Sequence, residues 1–341
     1  MSDLPLFQMS QAGEPKRSDK FEIASKRDLE LLRFSSIQQS PDYTADVGYS
    51  PALFSQVSLP YKDPKDQEVW IRRNGEVTLQ VTPRTVKNTT TGLFERKYPY
   101  GITPRLLVAF LTTEVMKSGG RTVELGGSVS AFMRSLGMQH TGPNATRLRD
   151  HMQRFFGSSI TFEGRASNNA GEGLKTVYFQ FASEMSLWDS APRNEGDIVH
   201  RAPWQNEVVL SEAFSREILA RPIPLDLNVL RQLTPSPLKA DVYLWLAHRM
   251  SWIREDVHIS WAALEEQFGA QFKQPRQFKA AFLEAIAAVQ KVYPGLNVDT
   301  GKGVLILKPS PTPIPKVRSA KRSKMQFSGD KFPEAPLAIE S

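Results

Sequence analysis

The spacing of apolar residues changes period several times along the chain, and each change marks a predicted element. Glu68 to Arg72 and Glu76 to Val81 alternate apolar with polar residues, as half-buried strands do, and Arg73-Asn74-Gly75 between them offers the positive φ of a tight hairpin turn. From Pro104 the period becomes helical, with Leu107, Phe110, Leu111 and Val115 on one face, until Gly119-Gly120 ends it. A short strand follows at Arg121 to Leu125. The next helix starts at Ser128, carries Val129, Phe132, Met133 and Leu136 inward, and stops at Gly137. A third helix is predicted from Pro143 to Phe156, burying Ala145, Leu148, Met152 and Phe155. Ser159 to Glu163 and Leu174 to Ser183 then alternate around the turn-rich stretch Arg165 to Gly173.

The same order of elements recurs in the second half. Leu238 to Arg249 reads as a helix with Leu238, Val242, Trp245 and Leu246 inward, and Val257 to Ile259 as a short strand. Ser260 is placed to cap a helix holding Trp261, Leu264 and Phe268, and Gln274 to Val292 is a longer helix burying Phe278, Phe282, Ile286 and Val289. Leu296 to Asp299 and Val304 to Lys308 close as a hairpin around Gly301-Lys302-Gly303. Between the halves, Ser186 to Gln205 is mixed and proline-bearing. A strand, Glu207 to Leu210, and a helix capped by Ser211 follow it.

The ends carry no such periodicity. Prolines at 5, 15, 41, 51, 60 and 64 break any helix longer than Asp28 to Ser35, which predicts a flexible or loosely docked arm. Past Pro309, Lys316, Arg318, Lys321, Arg322 and Lys324 stand among prolines and small residues, as in a disordered basic tail. The expected fold is α+β: an arm at 1–66, a first winged-helix domain with its preceding hairpin at 67–188, a linker at 189–205, a second winged-helix domain at 206–310 and a tail at 311–341.

Composition narrows the chemistry. The 341 residues contain no cysteine, which excludes disulfide frameworks, thiol nucleophiles and cysteine-held zinc. No apolar run approaches the roughly 20 residues a membrane helix needs, and the N-terminal stretch lacks a signal-peptide core, so a cytoplasmic chain is expected. With 43 Lys+Arg against 36 Asp+Glu the net charge is +7, compatible with a nucleic-acid partner but decisive only through its placement.

In a winged helix the third helix enters the major groove and the hairpin follows the backbone. In the first half Arg147, Asp150, His151 and Arg154 fall at i, i+3, i+4 and i+7, which predicts one exposed stripe, while Asn144, Thr146 and Arg149 sit near the N-terminal turn where a phosphate can dock. In the second half Lys273, Gln274, Arg276, Gln277 and Lys279 crowd the start of the matching helix. Arg and Gln suit base edges there, and Lys suits phosphates. Arg165 and Lys175 in the first wing and Lys302 at the tip of the second are candidate backbone contacts. The competing account is ordinary solvated helix and loop charge, and the repetition of the pattern in both halves weighs against it.

Signals of catalysis are missing. The five histidines, at 140, 151, 200, 248 and 258, form no metal-binding pair, no phosphate-binding glycine loop with its Lys is present, and Glu163, Glu172 and Asp189 make no compact acidic cluster. No catalytic, metal or cofactor site is therefore expected. Phe155, Phe162, Phe179, Phe181, Trp245, Trp261, Phe278 and Phe282 occupy core-facing positions, which disfavours single-strand stacking; Tyr178, on the opposite strand face, is the exception.

Several segments resemble the RepA-type plasmid replication initiators of Gram-negative bacteria. They are SLPYKDPKDQEVWIRRNGEVTLQVTP, YPYGITPRLLVAFLTTEVMKSGGRTVELGGSVSAFMRSLGM, TRLRDHMQRFFGSSITF, VVLSEAFSREILARPIPLDL, LTPSPLKADVYLWLAHRMSW and ISWAALEEQFGA, spanning Ser58 to Pro311 in order. The resemblance implies a protein that binds repeated duplex sequences at a plasmid origin, opens adjacent A+T-rich DNA, and recruits the host replication initiator and replicative helicase. It also implies a homodimer that represses its own promoter, with a dimer contact in the first module and the hairpin around Asn74-Gly75. By the same resemblance Arg147, Arg149 and Arg154 match the family's basic third helix, whereas the helix from Gln274 lies where the family varies. Three rivals stay open: a repressor without a replication role, an initiator with its own primase or nicking activity, and a protein-binding module.

Overall fold

The computed structural model describes residues 25–65, 67–87, 92–168, 171–186, 206–269 and 271–315. The first elements are α1 (Lys26–Gln38), β1 (Val47–Pro51), α2 (Leu53–Gln56), β2 (Trp70–Asn74), β3 (Val77–Thr82), β4 (Arg84–Lys87) and β5 (Phe94–Lys97). Then come α3 (Ile102–Ser118), β6 (Thr122–Glu124), α4 (Val129–Ser135), α5 (Gly142–Phe156), β7 (Ser159–Asn168), β8 (Gly171–Gln180) and β9 (Ala182–Ser186). The second half runs β10 (Glu207–Leu210), α6 (Glu212–Ala220), β11 (Pro222–Asp226), α7 (Leu227–Gln232), α8 (Pro237–Met250), β12 (Val257–Ser260), α9 (Trp261–Phe268), α10 (Pro275–Val292), β13 (Val298–Thr300) and β14 (Val304–Leu307). The mixed α+β class is as expected.

Local chemistry accounts for the element ends. The hydroxyls of Ser128, Thr141, Ser211 and Ser260 each accept the backbone N–H three residues on, capping α4, α5, α6 and α9. The β2–β3 hairpin turns one residue later than predicted, since Asn74 pairs with Val77 and Gly75, at φ +54°, takes the first corner of the turn. Strand β3 also pairs with β7, so this hairpin joins β7 and β8 in a four-stranded sheet ordered β2-β3-β7-β8. In the second half β12-β14-β13 forms a smaller sheet.

Two segments lie elsewhere than the sequence pattern suggests. From Lys26 onward the expected arm is folded: α1 buries Leu31 and Phe34, β1 pairs with β11 across the chain, and Leu53 to Leu59 is largely core. Its prolines do not prevent this, because Pro51 sits at a strand end and Pro60 in an extended loop, where no helix is asked of them. Gly48 is required where β1 crosses α7, since a Cβ there would come within 2.4 Å of the Leu227 side chain. Beyond the expected linker, β10 pairs with β6 and β9, and Phe214 of α6 stacks on Phe179 at 5.4 Å and meets Phe181 edge-on at 5.0 Å. These residues therefore complete the core of the first half. The first residues of the tail expected at 311–341 are packed, with Ile314 9% exposed and Pro311 O accepting from Tyr293 OH at 2.7 Å, whereas the rest of that tail, from Lys316, and the linker expected at 189–205 lie outside the described residues.

One contiguous apolar core runs from Leu31 to Leu307 through both halves. Within it, α3 and α8 meet at a buried ion pair. Arg105 donates from Nε to Asp241 Oδ1 at 2.6 Å and from Nη2 to Asp241 Oδ2 at 2.7 Å, with side chains only 8% and 6% exposed. The remaining donors reach Gly101 O at 2.6 Å and Leu59 O at 2.8 Å, and the guanidinium lies 5.1 Å from the Tyr61 ring centre. A second junction surrounds His248, whose Nδ1 is 2.7 Å from Ser55 Oγ. Burial, with Arg249 and Arg221 nearby, pushes its pKa down from 6.5 to about 4.

Two predictions follow from these junctions. Asp241→Ala leaves a buried guanidinium without its counter-charge, and urea unfolding will show a loss of about 3–5 kcal/mol, whereas Arg105→Met with Asp241→Leu regains most of it. His248 is held neutral in the fold but takes a proton when unfolded below pH 6.5, so its contribution is full above that pH and is lost as pH falls toward 4. Unfolding free energies will therefore drop by about 2 kcal/mol more between pH 7 and pH 5 in the native chain than in His248→Gln.

Candidate nucleic-acid interface

Helix α5 starts at the Thr141 cap, with Pro143 in its first turn, and buries Leu148, Met152, Phe155 and Phe156. Thr146 and Arg147 are exposed, Asn144 and Arg149 half-buried. The Asn144 side chain donates to Gln139 O at 3.0 Å, so it braces the turn before the helix. The first two turns thus present Thr146 and Arg147 to solvent, with Arg149 beside them.

The C-terminal half of the expected stripe is covered, and this corrects the sequence reading. His151 is 7% exposed and packs edge-on against Tyr100 at 5.0 Å, and burial together with Arg154 lowers its pKa. Arg154 is 9% exposed: Nε donates to Asp150 at 2.6 Å, Nη1 to Asp63 at 3.2 Å, and the guanidinium lies 5.3 Å from the Tyr100 ring centre. The cause is tertiary. Tyr100, which precedes α3, and the loop holding Asp63 lie against that face, so residues with helical spacing to Arg147 do not share its exposure. The i,i+4 spacing of Asp150 and Arg154 was the signal that Arg154 has a carboxylate partner of its own.

Helix α10 is the more open of the two. Gln274 caps it without a side-chain bond, Pro275 opens the first turn, and no acid stands there. Lys273, Gln274, Arg276, Gln277 and Lys279 are all exposed, while Phe278 and Phe282 anchor the opposite face in the core. Lys279 Nζ lies 4.7 Å from the Trp261 ring centre, which steers its ammonium back toward α9. A first turn with no side-chain cap and no acid, bearing exposed Lys, Arg and Gln, is suited to phosphate and to base edges together.

Each helix is followed by a hairpin. In the first, Arg165 is exposed and pairs with Glu76 Oε2 at 3.0 Å, and Lys175 is half-buried. In the second, Lys302 is exposed at the Gly301–Gly303 turn, where Gly303 takes φ +82°. Tyr178 and Leu174 are exposed on the outer face of β8, at 70% and 72%. Among the described residues no group of three or more His, Asp or Glu is placed to hold a metal ion, and no helix is long and apolar enough to cross a membrane.

The two helices are linked through one loop. Asp63 holds Arg154 of α5, and the carbonyl of neighbouring Lys62 accepts from Gln271 Nε2, just ahead of α10, at 3.4 Å. Arg72 of β2 binds the end of α9, through Nε to Gln267 O at 3.0 Å and Nη2 to Glu265 O at 2.7 Å. Neither link was legible from residue spacing.

Comparison with known proteins agrees with the sequence resemblance over part of the chain. Residues 98–263 match a family model described as plasmid encoded RepA protein, just under half the chain, from ahead of α3 into α9. Helix α5 lies inside the match and α10 outside it. No curated protein matches the chain. Two solved structures are loosely similar. A selenomethionine form of domains 2 and 3 of RctB shows 14% identity and a TM-score of 0.48, covering 76% of this chain and 99% of that one. A second structure of RctB domains 2–3 shows 13% identity and a TM-score of 0.44, covering 75% and 96%.

Arg147 and Arg154, seven residues apart on one helix, will behave differently. Arg154→Ala will cost about 1.5–3 kcal/mol in urea unfolding by orphaning Asp63 and Asp150, whereas Arg147→Ala will stay within about 0.5 kcal/mol of the native chain.

Proposed function

From a chain whose residues 98–263 match the plasmid encoded RepA protein family, we propose a plasmid replication initiator that binds repeated duplex sequences at the plasmid origin. Each half is read as a winged helix, with α5 and α10 as the reading helices and the β7–β8 and β13–β14 hairpins as wings. The observation that carries this is the start of α10. There an uncapped first turn bears exposed Lys273, Gln274, Arg276 and Gln277 at the same step of the fold where α5 bears exposed Thr146 and Arg147. Arg276, Gln277 and Arg147 are assigned to bases; Lys273, Lys302, Arg149, Arg165 and Lys175 to the sugar–phosphate backbone.

The mechanism is binding, with no covalent step by this chain. Phosphate contacts set the register, base contacts select the repeat, and two modules in successive grooves bend the duplex, at a cost of about 1–6 kcal/mol. Opening is more demanding. Separating about ten base-pair steps costs on the order of 10 kcal/mol, at or above the roughly 4–10 kcal/mol by which one bound protein prefers its site. Strand opening therefore calls for several copies on adjacent repeats, together with the host initiator and the replicative helicase. A homodimer at the promoter is the corresponding repressor form.

Footprinting on the DNA flanking the coding sequence, with permanganate reporting unpaired thymines, tests this. Protection at regularly spaced repeats with reactive thymines beside them is the expected result. Arg147→Ala and Arg276→Ala should each lose about 1–3 kcal/mol on the cognate repeat with relaxed specificity at one position. Protection without opening, even with host factors added, points to a repressor. Equal losses on every sequence would remove the base-reading role.

A further inference from the structure

We infer that the two-stranded ribbon β4–β5 is a further DNA-binding element, which sets Phe94, with Leu93 beside it, as an apolar wedge into the minor groove flanking the groove read by α5. This rests on the duplex-binding reading above, which gives the ribbon no role.

The ribbon stands apart from the larger sheets. Its strands pair only with each other, in a register running from Arg84 opposite Lys97 to Lys87 opposite Phe94. A lone two-stranded ribbon is marginal in water, so this one owes its order to its roots and to whatever it binds. Leu93 and Phe94 are 69% and 72% exposed, two adjacent large apolar side chains rimmed by polar residues, which marks a contact surface. Charge selects the partner. The strands carry Arg84, Lys87, Arg96 and Lys97 against one acid, Glu95. By the register, Phe94, Arg96 and Thr85 share one face and all three are exposed, whereas Glu95 lies on the other face, opposite Val86, with Lys97 Nζ 3.0 Å from it. Glu68, near the ribbon's root, reaches Arg96 at 3.4 Å, and even with it counted the cations outnumber the acids four to two. A phenylalanine and an arginine two residues apart on one face offer a ring to a base step and a cation to the adjoining phosphate.

Position ties the wedge to α5. The Arg84 side chain lies over Gly157, the residue that ends α5, where a Cβ would come within 2.4 Å of Arg84 Cδ. Past the other strand, Tyr98 is fully buried and donates through its hydroxyl to Gln67 O at 2.9 Å, and Tyr100 packs against His151 and Arg154 of α5. Both roots of the ribbon are thus held at the C-terminal part of the helix assigned to reading. Gly157 is ten residues from Arg147, about 15 Å along the helix, on the scale of the roughly 17 Å, half a helical turn, that separates a major groove from the next minor groove. A ribbon rooted at that offset meets the flanking minor groove, where an inserted apolar side chain unstacks one base step and bends the duplex.

The test uses the full chain at saturating concentration on a duplex carrying one origin repeat, with 2-aminopurine placed in turn at each flanking step, since its fluorescence rises when the step unstacks. The native chain should give a rise at one flanking step, Phe94→Ala should abolish it, and Phe94→Leu, which keeps an apolar wedge, should retain it. Ile37→Ala on α1, which trims an apolar side chain 58% exposed elsewhere, should also retain it. Salt titration separates the two contacts: Arg96→Gln should lower the slope of log K against log salt by about 1, whereas Phe94→Ala removes no charge and should leave the slope unchanged. No rise at any step under the bound native chain, or a rise that persists in Phe94→Ala and so leaves the ribbon to a protein partner, overturns the inference alone. Failure of the native chain to bind any duplex overturns the proposed function and the inference together.

Discussion

The contact between Arg105 and Asp241 sets the relation between the halves. It is a two-point, almost fully buried ion pair joining α3 to α8, the first helix of each repeated order. Desolvating two charges is costly, and here the guanidinium is compensated by the carboxylate, two backbone carbonyls and a tyrosine face. Its worth lies less in net stability than in direction. A planar fork on a planar carboxylate admits one orientation, whereas the surrounding Leu, Val and Ala contacts would tolerate sliding.

From that pin the other junctions follow in order. The guanidinium also holds Leu59, so the loop after α2 is placed by the same group that places α3 against α8. That loop reaches Arg154 through Asp63 and Gln271 through Lys62, so α5 and the approach to α10 are referred to one short segment. The strand β1 paired with β11 and the Arg72 bonds to the end of α9 tie the halves elsewhere. For the two modules proposed to bind one duplex, such fixed spacing would give the second a higher effective concentration at its groove than a loose tether gives.

Most of the fold was legible in the sequence because its elements carry strong local signals. The periods of α3, α5, α8 and α10, the caps at Ser128, Ser211 and Ser260 and the Asn-Gly hairpin all specify structure within a few residues. The folding of residues 26–65 was not legible, because β1 is stabilised by a partner more than 170 residues away and its own pattern is short and interrupted by proline. The same holds for β10 and α6, whose local pattern is correct but whose partners lie before the mixed segment. At the candidate site, exposure at Arg147, Lys273, Arg276, Gln277 and Lys302 matched the spacing. His151 and Arg154 did not, since helical periodicity gives a face but not what covers it, and Tyr100 and Asp63 cover this one.

The chain contains no cysteine, so a single one introduced in either helix proposed to read DNA gives an unambiguous attachment point. An aryl azide on Arg147→Cys and, separately, on Arg276→Cys, irradiated on a duplex carrying one origin repeat, tests directly whether both helices occupy the DNA. Crosslinks from both positions, centred about 10 base pairs apart, are what two rigidly spaced modules in successive grooves produce. Crosslinking from one position alone, or from both at variable separations, would contradict the account.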